Sequence, residues 1–227
     1  MDSSKRMEIE KNTVPARNQM AGKEYISFEN RGMGGLKIAF IGNSITRHGP
    51  APALGWHGDW GMAASCRKKD YVHRVLDGLW SQGSAVQSCI CNASQWEQGY
   101  GNDFNLEFFD PVREFHPDIL AMRVVENCPL ADFNLQIFEE AYESLIEYIK
   151  GEAEKVILTT SFWRHPGDEA IQAVAQRNGY PCIYLGQLGE QDEMKAVGEF
   201  AHTGVAAHPG DKGMAYIAQA ILKEISL

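Results

Sequence analysis

The chain has 227 residues, enough for one substantial hydrophobic core, and its 44% apolar and 22% charged content is that of a globular protein. With 30 acidic against 21 basic residues the formal net charge is -9, which argues against nucleic acid as a partner, because phosphate binding needs clustered Lys and Arg. No run approaches the ~20 apolar residues of a membrane span, and the N-terminal segment lacks the apolar stretch of a signal peptide, so a cytoplasmic protein without a membrane partner is expected.

Residues 1–35 are polar and punctuated by glycine, with "YISFEN" as the only strand-like piece. They read as an N-terminal extension that braces the edge of the domain or serves an interface in a homo-oligomer. A regular alternation then fills a single domain over 36–227. "LKIAFIG" (36–42) is a short apolar run closed by glycine, as a central strand should be. A helix is expected over 70–83, where Tyr71, Val72, Val75, Leu76 and Leu79 recur at helical intervals before Gly83. "AVQSCICNA" (85–93) is a second strand, and period two puts Cys89 and Cys91 on one of its faces. A third strand follows Pro117 within 116–127. The clearest helix is 134–151, with an apolar stripe of Leu135, Phe138, Tyr142, Leu145, Ile146 and Ile149 and Gly151 to end it. A strand (155–163), a helix (168–179), a short strand (181–189) and a closing amphipathic helix (209–225) complete the chain. Strands alternating with helices imply right-handed crossovers and a three-layer α/β/α sandwich around a five-stranded parallel sheet of flavodoxin-like type.

The five cysteines are odd in number and scattered, which fits reduced thiols rather than a disulfide framework. The seven histidines show no metal-ligand spacing beyond the weak pair in "HTGVAAH", so no metal and no organic cofactor is expected.

In a parallel sheet ligands bind beyond the carboxyl ends of the strands, so chemistry is sought in the loops that follow them. The first such loop presents Ser44. It fits a helix N-cap. It does not fit a phosphate loop, since neither GxxxxGK[ST] nor GxGxxG is present. It fits a nucleophile if a base and oxyanion donors are at hand. His208, followed by Pro209 at the start of the last helix, supplies the base.

Gly42-Asn43-Ser44 after the first strand, Val125-Glu126-Asn127 after the third and His208-Pro209 before the last helix occur in an order that resembles the SGNH (GDSL-like) hydrolases, from about residue 37 to the C-terminus. The resemblance implies Ser44 as nucleophile, His208 as general base, and an oxyanion site made by the Ser44 N–H, the Asn127 amide and a backbone N–H near Glu97, with Gly99 as the alternative. Three positions depart from the family: Asn43 replaces an aspartate, Val125 a glycine, and Val205 the acid that orients the histidine. A carboxylate from another loop, with Glu126 and Glu97 foremost and Asp192 and Glu199 behind, or a backbone carbonyl must take that last part. Asp211 is expected to cap the last helix.

Trp56, Trp60, Trp96 and Trp163 all fall in loops on the predicted mouth side, with Arg47, Arg123 and Arg164 as polar company. They suggest a stacking surface for a sugar ring. The expectation is an esterase that removes small acyl groups, acetyl first, from an acylated carbohydrate. A non-catalytic carbohydrate-binding member of the fold, and a thioesterase or lysophospholipase, are the competing readings.

Overall fold

The computed structural model describes residues 25–101 and 104–226; most of the expected N-terminal extension, residues 1–24, lies outside the described residues. The strands are β1 (Ile26–Arg31), β2 (Leu36–Gly42), β3 (Val86–Asn92), β4 (Ile119–Arg123), β5 (Lys155–Thr159) and β6 (Cys182–Ile183). The helices are α1 (Tyr71–Ser81), α2 (Ser94–Gly99), α3 (Asp110–Glu114), α4 (Leu135–Lys150), α5 (Asp168–Asn178), α6 (Thr203–Ala206) and α7 (Asp211–Ile225).

The six strands run in the order β1-β3-β2-β4-β5-β6. The last five are parallel, as expected, and β1 pairs antiparallel with β3 from Ile26 opposite Cys91 to Arg31 opposite Val86. A sixth strand is therefore added to the five read from the sequence: "YISFEN", in the segment expected to brace the edge of the domain, does so by pairing into the sheet as its edge strand. The strand expected at 181–189 shrinks to Cys182–Ile183, because Leu185 N–H turns to the side-chain hydroxyl of Thr160 at 2.8 Å and leaves the ladder.

Period two divides the central strands between two cores. Ile38 and Phe40 of β2 face α1 and α7, whereas Ala39 and Ile41 face α4 and α5. Cys89 and Cys91 lie on the second side, buried and unbridged. Helix α1 begins where Asp70 accepts the His73 N–H at 2.7 Å, and α4 begins where Asn134 accepts that of Ile137 at 3.0 Å; such side chains satisfy donors left over at a helix start. Asp211 stands in the first turn of α7, but its carboxylate is spent on Ser65, whose N–H and hydroxyl donate to it at 2.9 and 2.8 Å.

The chain leaves β2 for β3 on one side and returns to β4 on the other. The carboxyl end of β2 is thus the switch point of the sheet, where two loops part and leave a crevice. Ser44 lies two residues beyond that strand. No helix among the described residues is long and apolar enough to cross a membrane.

Candidate active site

The turn after β2 is closed by Asn43, whose side-chain oxygen accepts the Ile45 N–H at 3.2 Å. The N–H groups of Thr46 and Arg47 both donate to the Asn43 carbonyl, at 2.9 and 3.0 Å, and leave Ser44 half-buried at the corner. Gly42 is required there, since a Cβ would meet the Thr46 hydroxyl at 1.9 Å. No described residue accepts the Ser44 N–H, which remains free to serve a ligand.

Ser44 Oγ lies 2.8 Å from His208 Nε2. The other ring nitrogen, Nδ1, lies 2.8 Å from the carbonyl oxygen of Gly204 in α6. A carbonyl only accepts, so Nδ1 carries the proton and Nε2 presents a bare lone pair to the serine hydroxyl. The histidine is held on every side: its N–H donates to Val205 and its carbonyl accepts from Ala196, each at 3.0 Å, and the ring of Trp163 meets it edge-on at 5.1 Å between centroids. Burial pushes the imidazole down to about 4, with the Arg123 charge adding to the effect.

The orienting group is therefore a backbone carbonyl, and the carboxylates expected for that task are engaged elsewhere. Glu97 accepts Val125 N–H at 2.5 Å, Asn127 Nδ2 at 2.6 Å and Asn43 Nδ2 at 3.0 Å. Glu126 pairs with Arg123 and accepts Phe162 N–H at 2.9 Å and Asn43 Nδ2 at 2.6 Å. These five side chains form a buried platform beneath Ser44, in which Asn43 takes both carboxylates with its amide and the Arg123 guanidinium, at 3.1 Å, with its carbonyl. Asp192 is exposed and paired with Lys195, and Glu199 is exposed. Val205 is buried in an apolar cluster with Trp56 and Met62.

Asn127 lines the cavity in front of Ser44, and its bond to Glu97 occupies one of its two amide hydrogens. The backbone N–H near Glu97 is not a donor to the cavity. The loop coils into α2, and Glu97 N–H is consumed by the Ala93 carbonyl at 3.1 Å. Gly99 ends the same helix and does not line the cavity.

The tryptophans separate. Trp163 lines the cavity. Trp96, 1% exposed, is a core residue packed against Tyr100, Phe138 and Tyr142, placed there because α2 turns its side chain inward. Trp56 is buried against Trp60 and Phe200, and each indole N–H is bound inside the same loop: Trp56 to the His48 carbonyl and Trp60 to that of Ala64, both at 3.0 Å. They brace the segment after Ser44, and neither lines the cavity. Of the arginines, Arg47 is buried and pairs with Asp59 at 2.9 Å, Arg123 belongs to the platform, and Arg164 is exposed and pairs with Glu190 at 2.7 Å.

The cavity measures about 150 Å³ and is lined by Ser44, His208, Asn127 and Trp163, and also by His48, Asn92, Ser94 and His202. Sequence reading passed over these last four. His48 stands four residues after the serine, and His202 was weighed only as half of a metal pair; its ring instead accepts the Val205 N–H at 3.3 Å and caps α6. Among the described residues no group of His, Cys, Asp and Glu is arranged to hold a metal ion.

No protein-family model matches the chain, and no curated sequence does. Solved structures do match. An acetyl xylan esterase from Geobacillus stearothermophilus is 17% identical, with 84% of this chain and 94% of that one covered at a TM-score of 0.54. A lipase/acylhydrolase from Enterococcus faecalis is 20% identical over 84% and 95% of the two chains, with a TM-score of 0.54. A two-domain esterase active on acetylated mannans is 18% identical over 84% of this chain and 49% of that one, with a TM-score of 0.51. The chain has the fold of these esterases.

Proposed function

We propose that the protein is a serine esterase that removes small acyl groups, acetyl first, from a hydroxyl-rich alcohol such as a sugar. The observation that carries this reading is the tautomer of His208: with Nδ1–H committed to the Gly204 carbonyl, Nε2 is the acceptor 2.8 Å from Ser44 Oγ. Ser44 Oγ attacks the ester carbonyl as its proton passes to Nε2. The imidazolium then protonates the departing alcohol. Water, deprotonated by the same nitrogen, attacks the acyl-enzyme and frees the acid and Ser44. The oxyanion of each tetrahedral intermediate is met by the Ser44 N–H and the second amide hydrogen of Asn127.

Size favours a short acyl group. A cavity of about 150 Å³ is of the size that takes one small organic group in a protein interior, which suits an acetyl group. Among the described residues His208 Nδ1 meets a carbonyl and not a carboxylate, which favours the alternative of a sugar-binding protein with a disarmed site, and one experiment separates the two. Wild type and Ser44→Ala are treated with a fluorophosphonate probe, and with p-nitrophenyl acetate and butyrate in parallel. The esterase labels at Ser44, prefers acetate, and loses both labelling and on the order of 10⁴-fold of kcat in Ser44→Ala. Folded wild type that neither labels nor turns over acetate is not an esterase.

A further inference from the structure

His48 is 2% exposed and lines the same cavity as Ser44. Its backbone is clamped from both sides, the N–H by the Trp60 carbonyl at 2.9 Å and the carbonyl by the Trp56 indole at 3.0 Å. Its ring is fixed by Nδ1, 2.6 Å from the Gly49 carbonyl, so Nδ1 carries the proton. Nε2 is then a bare acceptor, buried and without a partner among the described residues. Burial, with the Arg47 charge beside it, holds this imidazole below the ordinary histidine range and keeps it neutral.

Ser94, the first residue of α2, lines the same cavity. Its N–H is taken by Asn92 Oδ1 at 2.9 Å, while its hydroxyl is buried and likewise without a partner among the described residues. A buried polar atom left unpaired costs ~1–3 kcal/mol. Two in the wall of one small cavity are a cost without a structural return, unless something that visits the cavity pairs with them.

We infer that His48 Nε2 and the Ser94 hydroxyl form a subsite that binds a hydroxyl group of the ester adjacent to the scissile bond. The inference rests on the esterase reading and deepens it. The visiting group must donate to Nε2, which excludes an acetyl methyl, a carboxylate and a phosphodianion, whose lone pairs would face that of the ring. Arg47, though paired with Asp59, is felt at the ring and disfavours a cationic donor, which leaves a neutral one. A hydroxyl donates to Nε2 and accepts from Ser94 at once. An acyl sugar carries such a group on the carbon next to its ester, and a hydroxyacyl ester carries it on the acid side.

The test uses three esters of similar size: propyl acetate, which has no hydroxyl, glycerol 1-acetate, with hydroxyls on the alcohol, and propyl glycolate, with one on the acid. In the wild type, kcat/KM for one hydroxyl-bearing ester exceeds that for propyl acetate by about tenfold or more, and the ester preferred tells on which side the hydroxyl sits. In His48→Phe and in Ser94→Ala that ratio falls about tenfold, the value of one hydrogen bond of ~1.4 kcal/mol. Reading a ratio within each folded variant removes losses common to all substrates, and Ser94→Ala covers a His48→Phe that fails to fold. Equal kcat/KM for the three esters, or a ratio the substitutions leave alone, overturns the subsite. A second readout needs no turnover: in ¹⁵N-histidine-labelled Ser44→Ala, the His48 Nε2 resonance moves on adding the preferred hydroxyl ester and stays with propyl acetate. A wild type inactive on all three esters counts against the esterase, and the resonance still decides the subsite.

Discussion

Glu97 is a carboxylate with no exposure and three donors aimed at it, from Val125, Asn43 and Asn127. Burial, and after it the charge of Glu126, push its carboxyl up, while the three donors pull the other way. It also holds Val125, whose φ of +154° lies where glycine is at ease and a β-branched residue is not, and the Glu97–Val125 bond helps to keep that backbone. Sequence reading singled out Glu97 for two tasks it does not perform. The motif gave its place in the loop, yet nothing local told that the loop coils into α2 and turns the side chain under Asn127. Glu97→Gln sets an amide N–H against at least one of three donors. It should destabilise the protein by ~1–3 kcal/mol in urea unfolding and lower kcat on p-nitrophenyl acetate by roughly tenfold through a loosened Asn127, with KM little changed. Fluorophosphonate labelling of Ser44 should persist, since His208 is held by Gly204. Loss of labelling together with kcat would mean that Glu97 serves the Ser–His pair itself.

At the scale of elements, β1 is fastened to α1 by a charged cluster that the sequence did not announce. Asp70 caps α1 and, being fully buried, also receives His73 Nδ1 at 2.7 Å, while His73 Nε2 lies 3.0 Å from Glu29 of β1. Arg67 Nε, 2.8 Å from the same Nε2, opposes a proton there, but two carboxylates outweigh one guanidinium. Burial lowers the imidazole's affinity for a proton, yet the bonds to Asp70 and Glu29 prevail and hold it at about 9. Such contacts join residues far apart in the chain, with no period to betray them. Helix α4, by contrast, was legible to within a residue at each end, because its stripe, its Asn134 cap and Gly151 all agree. A raised imidazole stabilises the fold fully below the unfolded value of about 6.5, and that contribution is lost as pH rises through about 9. Between pH 7 and 10 the wild type should therefore lose on the order of 2 kcal/mol more unfolding free energy than His73→Gln, measured by urea at each pH. Parallel pH dependences in the two proteins would show that His73 is neutral in the fold.

The whole molecule is a sheet whose two edges are dealt with differently. At one edge β6 is only two residues long and offers little backbone to pair. At the other, β3 is a seven-residue strand buried at every position but Gln87, and β1 covers it with charged residues such as Glu29 and Arg31, the latter paired with Asp77 at 2.8 Å. The alternation of strands and helices made the parallel sheet and its switch point readable, since hydrophobic period and topology rules act over whole segments. The antiparallel edge was not readable, because one strand without a helix after it carries no sign of its neighbour. The edge also reaches the cavity: the Tyr25 carbonyl accepts the N–H of Asn92 at 2.7 Å, and Asn92 lines the wall beside Ser44. A chain that starts at Gly32 should then fail in two linked ways. Its uncovered β3 edge should pair with other copies, giving a mass in light scattering that grows with concentration beyond that of the full chain. Its remaining monomer, freed of the prop on Asn92, should turn over acetate esters more slowly than the full chain at equal active-site labelling. A shortened chain with the mass, melting temperature and turnover of the full one would reduce β1 to an ornament of the sheet, and the edge of β3 would have to be protected by its own residues.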